Sequence, residues 1–316
     1  MNLLRRNSRC MRDGIAQLLE DNHIPYKLRK EWANVCCPYC GDNDFHLGLT
    51  NDGKATCFRC GTHNINSVIH ELLHCGASES RAIVRRYICR SKSERNYDPA
   101  KVCSSAFEFK VPSSGNILRA KFPFMYLRRR FKWMPIDEFV SMVKRCGITY
   151  TDNEFVMKKP DGNLTGMFAG RIVFPLMHNG IPVSYQCRDY TDNCKVKYMT
   201  AYPEYERIMH KDVLYGEDDV PYSKVIVCEG VFDALSIGAG AVHTFGVKWS
   251  RSQAESLCAY DKVYIAYDND KAGKLGAESL ASAIKHRVKV AIVRVSAKDI
   301  NSCSQSEIED IKALIQ

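Results

Sequence analysis

No apolar run in the 316 residues approaches the roughly eighteen needed for a membrane span, so no membrane partner is expected. The start, Met1-Asn-Leu-Leu-Arg-Arg-Asn, puts arginines where a secretory leader would carry its apolar stretch, and no leader is read. The expected location is therefore the cytoplasm. Internal repeats and low-complexity tracts are lacking. No glycine-rich loop ending in Lys-Ser or Lys-Thr occurs, which argues against a nucleotide-driven motor within the chain. Disorder is excluded by composition, since 45% of residues are hydrophobic and 26% charged.

The length suits roughly two domains. The net charge of +9 is mild, but its distribution is uneven. From Lys224 onward there are 12 basic and 11 acidic residues, which leaves 33 and 25, or +8, for residues 1–223. The front of the chain is the expected polyanion-binding part. Fifteen cysteines, an odd number in a long chain without an export signal, read as reduced thiols, some of them metal ligands.

Ser91-Lys-Ser-Glu-Arg-Asn-Tyr-Asp-Pro and Pro112-Ser-Ser-Gly-Asn bound an expected exposed linker over about 91–117. Helices are predicted at about 122–131 and 136–146. Two strands follow around Asn179-Gly180, a strong hairpin signal. From Lys224, short apolar runs at 225–228, 242–245, 263–267 and 289–295 alternate with helical stretches at 231–238, 250–259, 272–286 and 304–315, the last opened by Ser304 or Ser306 as cap. That alternation predicts an α/β parallel sheet, in a chain that is α+β overall.

Cys37-Pro-Tyr-Cys40 and Cys57-Phe-Arg-Cys60 are two knuckles sixteen residues apart, the spacing of a zinc ribbon with one structural Zn2+. Cys36 is read as a bystander, because using it would place proline inside the wrong turn. The ion either only folds this segment or also presents it to nucleic acid, with His46, Lys54, Arg59 and His63 as candidate contacts.

Two buried-strand patterns end abruptly in acids, at Glu229 and at Asp268-Asn-Asp270, and a third leads into Lys298-Asp299. Ligands of open α/β sheets bind beyond the carboxyl ends of the strands, so Glu229, Asp268, Asp270 and Asp299 are expected at one edge. Carboxylates without histidine favour Mg2+ or Mn2+, and phosphoryl transfer is the chemistry that follows. The competing reading makes each acid a helix N-terminal residue. Between Asn116 and Tyr150, eight basic residues face two acids, interleaved with Phe122, Phe124, Tyr126, Phe131 and Trp133. This suits a single-strand groove, although helical spacing favours core for the aromatics.

Glu229-Gly-Val-Phe-Asp233-Ala-Leu followed by Tyr267-Asp268-Asn-Asp270-Lys-Ala-Gly273 resembles the TOPRIM signature. Upstream, Tyr126-Leu-Arg-Arg-Arg130, Gly170-Arg171-Ile-Val-Phe-Pro-Leu, Arg188, Lys197-Tyr198 and His210-Lys211-Asp-Val-Leu-Tyr-Gly216 resemble, in order, the basic half of DnaG-type DNA primases. The resemblance, to a small phage-like form, implies a zinc-ribbon domain over 1–92, a linker over 93–117, the basic part of an RNA polymerase domain over 118–223, and a TOPRIM subdomain over 224–316. It implies RNA primer synthesis during DNA replication on a single-stranded DNA template from ribonucleoside triphosphates, an RNA primer/DNA hybrid product and a replicative helicase as partner. Glu229, Asp268 and Asp270 would be catalytic metal ligands, with Asp299 as a further ligand and Asp233 in support. Glu229 as a base for the primer hydroxyl remains an alternative. Arg171, Arg188, Lys197 and Lys211 would meet the triphosphate or template backbone. Such primases show two acids around a proline after the last strand, whereas Asp299-Ile-Asn301 stands here and weakens one expected metal contact. A TOPRIM nuclease and a zinc-ribbon binding module with a vestigial site are the rival functions.

Overall fold

The computed structural model describes residues 14–88, 109–159 and 162–316. The first segment opens with helix α1 (Ile15–Asp21) and a five-stranded antiparallel sheet in sequential order. Its strands are β1 (Lys27–Arg29), β2 (Trp32–Val35), β3 (Leu47–Leu49), β4 (Lys54–Cys57) and β5 (Gly61–Asn64). Asn64 then caps α2 (Ile65–Leu73) by accepting from the Asn66 and Ser67 amides, and α3 (Ala77–Ile88) follows. Leu18, Leu19, Leu47, Leu49, Val68 and Val84 close a small core between helices and sheet.

Residues 89–108, which include most of the stretch read as linker, lie outside the described residues. The described end of that stretch touches the rest of the fold at intervals: the Phe109 ring lies against Tyr185 and Gly115 bridges Tyr150, while Lys110, Ser113 and Asn116 are exposed. Helices α4 (Lys121–Arg130) and α5 (Ile136–Arg145) then cover an antiparallel sheet of order β11-β10-β9-β6. Its strands are β6 (Thr149–Thr151), β9 (Arg171–His178), β10 (Ile181–Asp189) and β11 (Tyr198–Thr200), and a separate short ribbon pairs β7 (Met157–Lys158) with β8 (Leu164–Thr165). Asn179 and Gly180 both have positive φ, 54° and 76°, as the tight β9–β10 turn requires. Phe131 and Phe139 are fully buried beneath this sheet, and Phe124, Tyr126 and Trp133 are half-buried against the same core. Of these five aromatics only Phe122, 72% exposed, stands clear of the core.

The last third contains β12 (Lys224–Cys228), α6 (Val231–Ile237), β13 (Ala241–His243), α7 (Arg251–Leu257), β14 (Lys262–Ala266), α8 (Lys271–Ile284), β15 (Lys289–Ile292) and α9 (Gln305–Ala313). The sheet is parallel, in the order β13-β12-β14-β15. Both faces are covered. Val225 and Val227 join the core with Leu257 and Leu280 on α7 and α8, while Ile226 and Cys228 join Ile237 on α6 and Ile308 on α9. Ser304 caps α9 by accepting from the Glu307 amide, as predicted.

The ribbon module is fastened to this last third. Arg81, 4% exposed, donates to the Tyr260 hydroxyl at 2.8 Å and to the Val220 carbonyl at 2.9 Å. The buried His63 ring meets Glu255 of α7 through a 2.7 Å Nδ1–Oε2 bond, and Arg287 pairs with Glu71. Among the described residues no helix is long and apolar enough to cross a membrane. Because Arg81 is a buried donor with two acceptors, Arg81→Ala should lower stability by about 2–4 kcal/mol, with faster hydrogen exchange in α2 and α3. Chemical denaturation and amide exchange check this.

Candidate active site and metal centre

The four knuckle cysteines come together as the spacing predicts. Among the described residues, Cys37, Cys40, Cys57 and Cys60 are the one group of potential metal ligands whose donor atoms all lie within 4.8 Å of one another. Cys37 and Cys60 sulfurs are 3.5 Å apart, and those of Cys40 and Cys57 3.8 Å. A tetrahedron built on metal–sulfur bonds of about 2.3 Å has edges of about 3.8 Å, so the cluster fits one such ion. Cys36 stays outside it. The first knuckle owes its shape to Asp42, which sequence reasoning passed over. Its buried carboxylate accepts from the amides of Cys37, Asp44 and His46, at 3.1, 2.9 and 2.8 Å, and bonds the His46 ring at 2.6 Å. Burial opposes its charge, but these bonds outweigh burial and hold the carboxyl well below the ordinary range. His63 is no surface contact: its ring is fully buried, with Nε2 3.1 Å from the Cys60 sulfur. Arg59 remains exposed, and Lys54 pairs with Asp52.

The acids meet at the carboxyl edge of the parallel sheet. Strands β12 and β14 are neighbours paired Cys228 to Ala266, yet the chain leaves β12 for one side and reaches β14 on the other. That switch point opens a crevice beyond the strand ends. Glu229 follows β12 directly, and Asp268 lies two residues beyond β14. Asp270 caps α8 by accepting from the Gly273 amide at 2.8 Å. A side chain at Gly273 would put its Cβ 2.2 Å from the Asp268 carbonyl oxygen, so glycine here lets α8 start against the turn. Asn269 draws in the third loop, donating to the Lys298 carbonyl at 2.7 Å from its amide and to the Val295 carbonyl at 3.1 Å from its side chain. Asp299 in turn caps a short 3-10 helix, Ile300–Ser302. Asp270 and Asp299 are therefore helix caps that also stand at the cluster.

Glu229, Asp233, Asp268 and Asp299 line one cleft of about 510 Å3. Burial, then the charges of Asp268 and Asp270, push Glu229 up to about 7. Burial, then Asp299 and Asp270, push Asp268 up to about 6, with Lys298 opposing. Burial likewise raises Asp233 to about 7, opposed by the bond from the Asn301 amide. The carboxylates are more widely spread than the thiols, which suits hard cations that keep part of their water shell.

The opposite wall is basic. Arg188 sits 4.8 Å from the Tyr198 ring centre and donates Nε to the Tyr126 hydroxyl at 2.8 Å, and Lys197 lines the same cleft. The structure places the other two cations behind that wall. Arg171, 3% exposed, donates to the carbonyls of Met167, Val196 and Lys197, so it holds the loop that carries Lys197. Lys211 gives Nζ to the carbonyls of Thr244, Phe245 and Lys248, fixing the loop whose Phe245 and Gly246 line the cleft. Burial pushes the Lys211 amine down to about 8. Two further cations line the cleft: Arg130, which the sequence reading placed only among the basic residues of a candidate single-strand groove, and Lys298, to which it gave no role. Arg130 lies 4.5 Å from the Phe232 ring centre, and its buried Nε has no acceptor among the described residues. Its only sequence signal was membership of the Arg128–Arg130 run.

A ribbon of four gathered thiols joined to a parallel sheet with acids at its switch point defines a zinc-ribbon and TOPRIM class of protein. Comparison with known proteins agrees. The Toprim-like family matches residues 226–304. A DNA primase of Geobacillus stearothermophilus is 35% identical over 147 residues, 42% of this chain and 24% of that protein, so the chain spans about a quarter of that relative's length. The fold is that of the zinc-binding and RNA polymerase domains of the Aquifex aeolicus primase, with a TM-score of 0.56 over 98% of this chain and 85% of that one, at 15% identity. The structure of a DnaG catalytic core matches with a TM-score of 0.50 at 18% identity, over 62% of this chain and 73% of that one. The chain thus resembles DnaG-type DNA primases, in sequence over part of its length and in fold over nearly all of it.

Two outcomes follow from the geometry. Cys40→Ser should abolish stoichiometric metal binding and Asp42→Ala should weaken it by at least about tenfold, both read by metal analysis after dialysis against a competing chelator. The raised carboxylates of Glu229, Asp233 and Asp268 hold protons more tightly folded than unfolded, so their contribution to stability is full below about pH 4 and is lost as pH rises towards 7. Divalent cations compete with those protons. The gain in melting temperature on adding Mg2+ or Mn2+ should therefore be larger at pH 8 than at pH 5.5.

Proposed function

We propose that this chain is a DNA primase, a nucleotidyltransferase that joins ribonucleoside triphosphates into short RNA primers on single-stranded DNA. The observation that carries the reading is the cleft itself. Acids at a TOPRIM switch point face a wall of Arg188, Lys197 and Arg130, and among the described residues the Arg130 Nε has no acceptor. Cations that line a cleft opposite a cluster of acids suit an anionic ligand such as a triphosphate or template phosphate.

Each addition joins a primer 3′ oxygen to the α-phosphorus of the incoming nucleotide, breaks the bond to pyrophosphate and releases the hydroxyl proton. Glu229, Asp268, Asp270 and Asp299 would hold Mg2+ or Mn2+, which supplies a lowered hydroxyl pKa and charge neutralisation at the leaving oxygens. Asp233 supports Glu229 from the first turn of α6. If Glu229 is not fully engaged with the cation, its raised pKa makes it a suitable acceptor for the hydroxyl proton. Arg188, Lys197, Arg130 and Lys298 bind phosphate, while Arg171 and Lys211 hold the loops that present this wall.

The ribbon over 1–92 carries one Zn2+ on Cys37, Cys40, Cys57 and Cys60 and takes part in template choice. Residues 93–117 connect it to the basic part of the polymerase, 118–223, and the TOPRIM subdomain covers 224–316. The proposed partners are single-stranded DNA, ribonucleoside triphosphates, the primer/DNA hybrid and a replicative helicase, all in the cytoplasm at the replication fork.

Incorporation of labelled ribonucleotides on mixed-sequence single-stranded DNA with Mg2+ or Mn2+ tests this. Wild type should give short RNA, Asp268→Ala should reduce it at least about a hundredfold, and Cys40→Ser should alter the preferred start sequence. DNA cleavage without added nucleotides, in place of RNA synthesis, would assign the site to a nuclease instead.

A further inference from the structure

The amide at position 301 stands where the resemblance leads one to expect an acid, and its contacts give it a different task. Asn301 is buried in the short helix after Asp299. Its backbone amide donates to Asp233 Oδ1 at 3.0 Å. Its side-chain Nδ2 donates twice, to the Arg130 carbonyl at 3.0 Å and to the Ser236 hydroxyl at 3.0 Å. Arg130 is the last residue of α4, where helix carbonyls have no partner within the helix. Arg128 fastens the next turn, through the carbonyls of Phe131 and Met134. From that fixed end the Arg130 side chain passes over Phe232 into the cleft.

We infer that Asn301 is a positioning residue that sets Arg130 in the cleft through its carbonyl, and that it is not a metal contact. The inference rests on the reading of the cleft as a nucleoside triphosphate site. Chemistry explains why an amide serves where an aspartate would not. The Arg130 carbonyl can only accept, and the Ser236 hydroxyl already donates to the Phe232 carbonyl, so both need a donor that a carboxylate lacks; an aspartate would also set a second buried charge beside Asp233 and against the Arg130 carbonyl. The side chain is spent on α4 and α6, so exchange of acid for amide here secures the phosphate wall instead of removing a ligand.

The test uses the full chain loaded with zinc, a fluorescent non-hydrolysable ribonucleoside triphosphate, and Mn2+ followed by electron paramagnetic resonance. Asn301→Ala and the isosteric Asn301→Asp should each weaken triphosphate binding about five- to tenfold, the cost of one fixed hydrogen bond. Arg130→Ala should weaken it at least as much, and the double variant Asn301→Ala with Arg130→Ala should bind no worse than Arg130→Ala alone. Mn2+ affinity should stay within about twofold throughout. Ser236→Ala, which removes one acceptor but leaves the Arg130 bond, should bind triphosphate as wild type does. The inference is overturned by additive losses in the double variant, by an equal loss in Ser236→Ala, or by Mn2+ binding that tightens in Asn301→Asp and loosens in Asn301→Ala. Unchanged triphosphate binding in Arg130→Ala alone would instead overturn the reading of the cleft on which it rests.

Discussion

Like charges beyond the ends of two adjacent parallel strands are the constraint on which the rest of the molecule depends. Pairing of β12 with β14 sets Glu229 and Asp268 side by side at the switch point, and Asn269 draws the Asp299 loop in beside them. Backbone hydrogen bonds and a packed two-faced core hold the acids there, so the strands cannot separate to relieve the repulsion. Relief comes from protonation, from Lys298, or from added cations, and each alters what the cleft binds. The close start of α8 on Gly273 keeps the Asp268 turn from moving away.

The basic residues divide into two kinds of work that look alike in a sequence. Arg188, Lys197, Arg130 and Lys298 present charge to the cleft. Arg171 and Lys211 bury theirs against backbone carbonyls, and each loop they tie contributes residues to the cleft. Charge used this way is a structural donor set: three carbonyls around one cation satisfy it without any ligand. Substituting such a residue would damage the site as surely as removing a phosphate contact, although it touches nothing that reacts.

Much of the fold was legible because its signals are local. The runs that became β12 and β14, the Asn179-Gly180 turn, the Ser304 cap and the two thiol knuckles depend on neighbouring residues, and the structure places each within a few positions of the reading. The ribbon's short strands were not read, since β1 is exposed throughout and offers no alternation. Asp42 was missed because its function lies in amides that only a folded knuckle brings together. Lys298 was missed as a cleft cation, Arg130 was read only as one of a basic run, and Arg171 and Lys211 were placed too far forward, for one reason. Spacing places a cation on an element, but which carbonyl or ligand it meets is decided by segments far away in the chain.

The bond between His63 and Glu255 joins residues 192 positions apart. One end touches the sulfur cluster and the other lies on a helix of the parallel-sheet half, so the two halves do not vary independently. A ribbon exchanged between relatives would carry its thiols intact, yet without a matching histidine it would leave Glu255 with Arg251 as its remaining partner in a buried seam. The module is autonomous in how it gathers a metal and bespoke in how it is seated. Modular shuffling in this architecture is therefore limited less by the ribbon's own fold than by the few pairs at the join, His63–Glu255 and Arg81–Tyr260 among them.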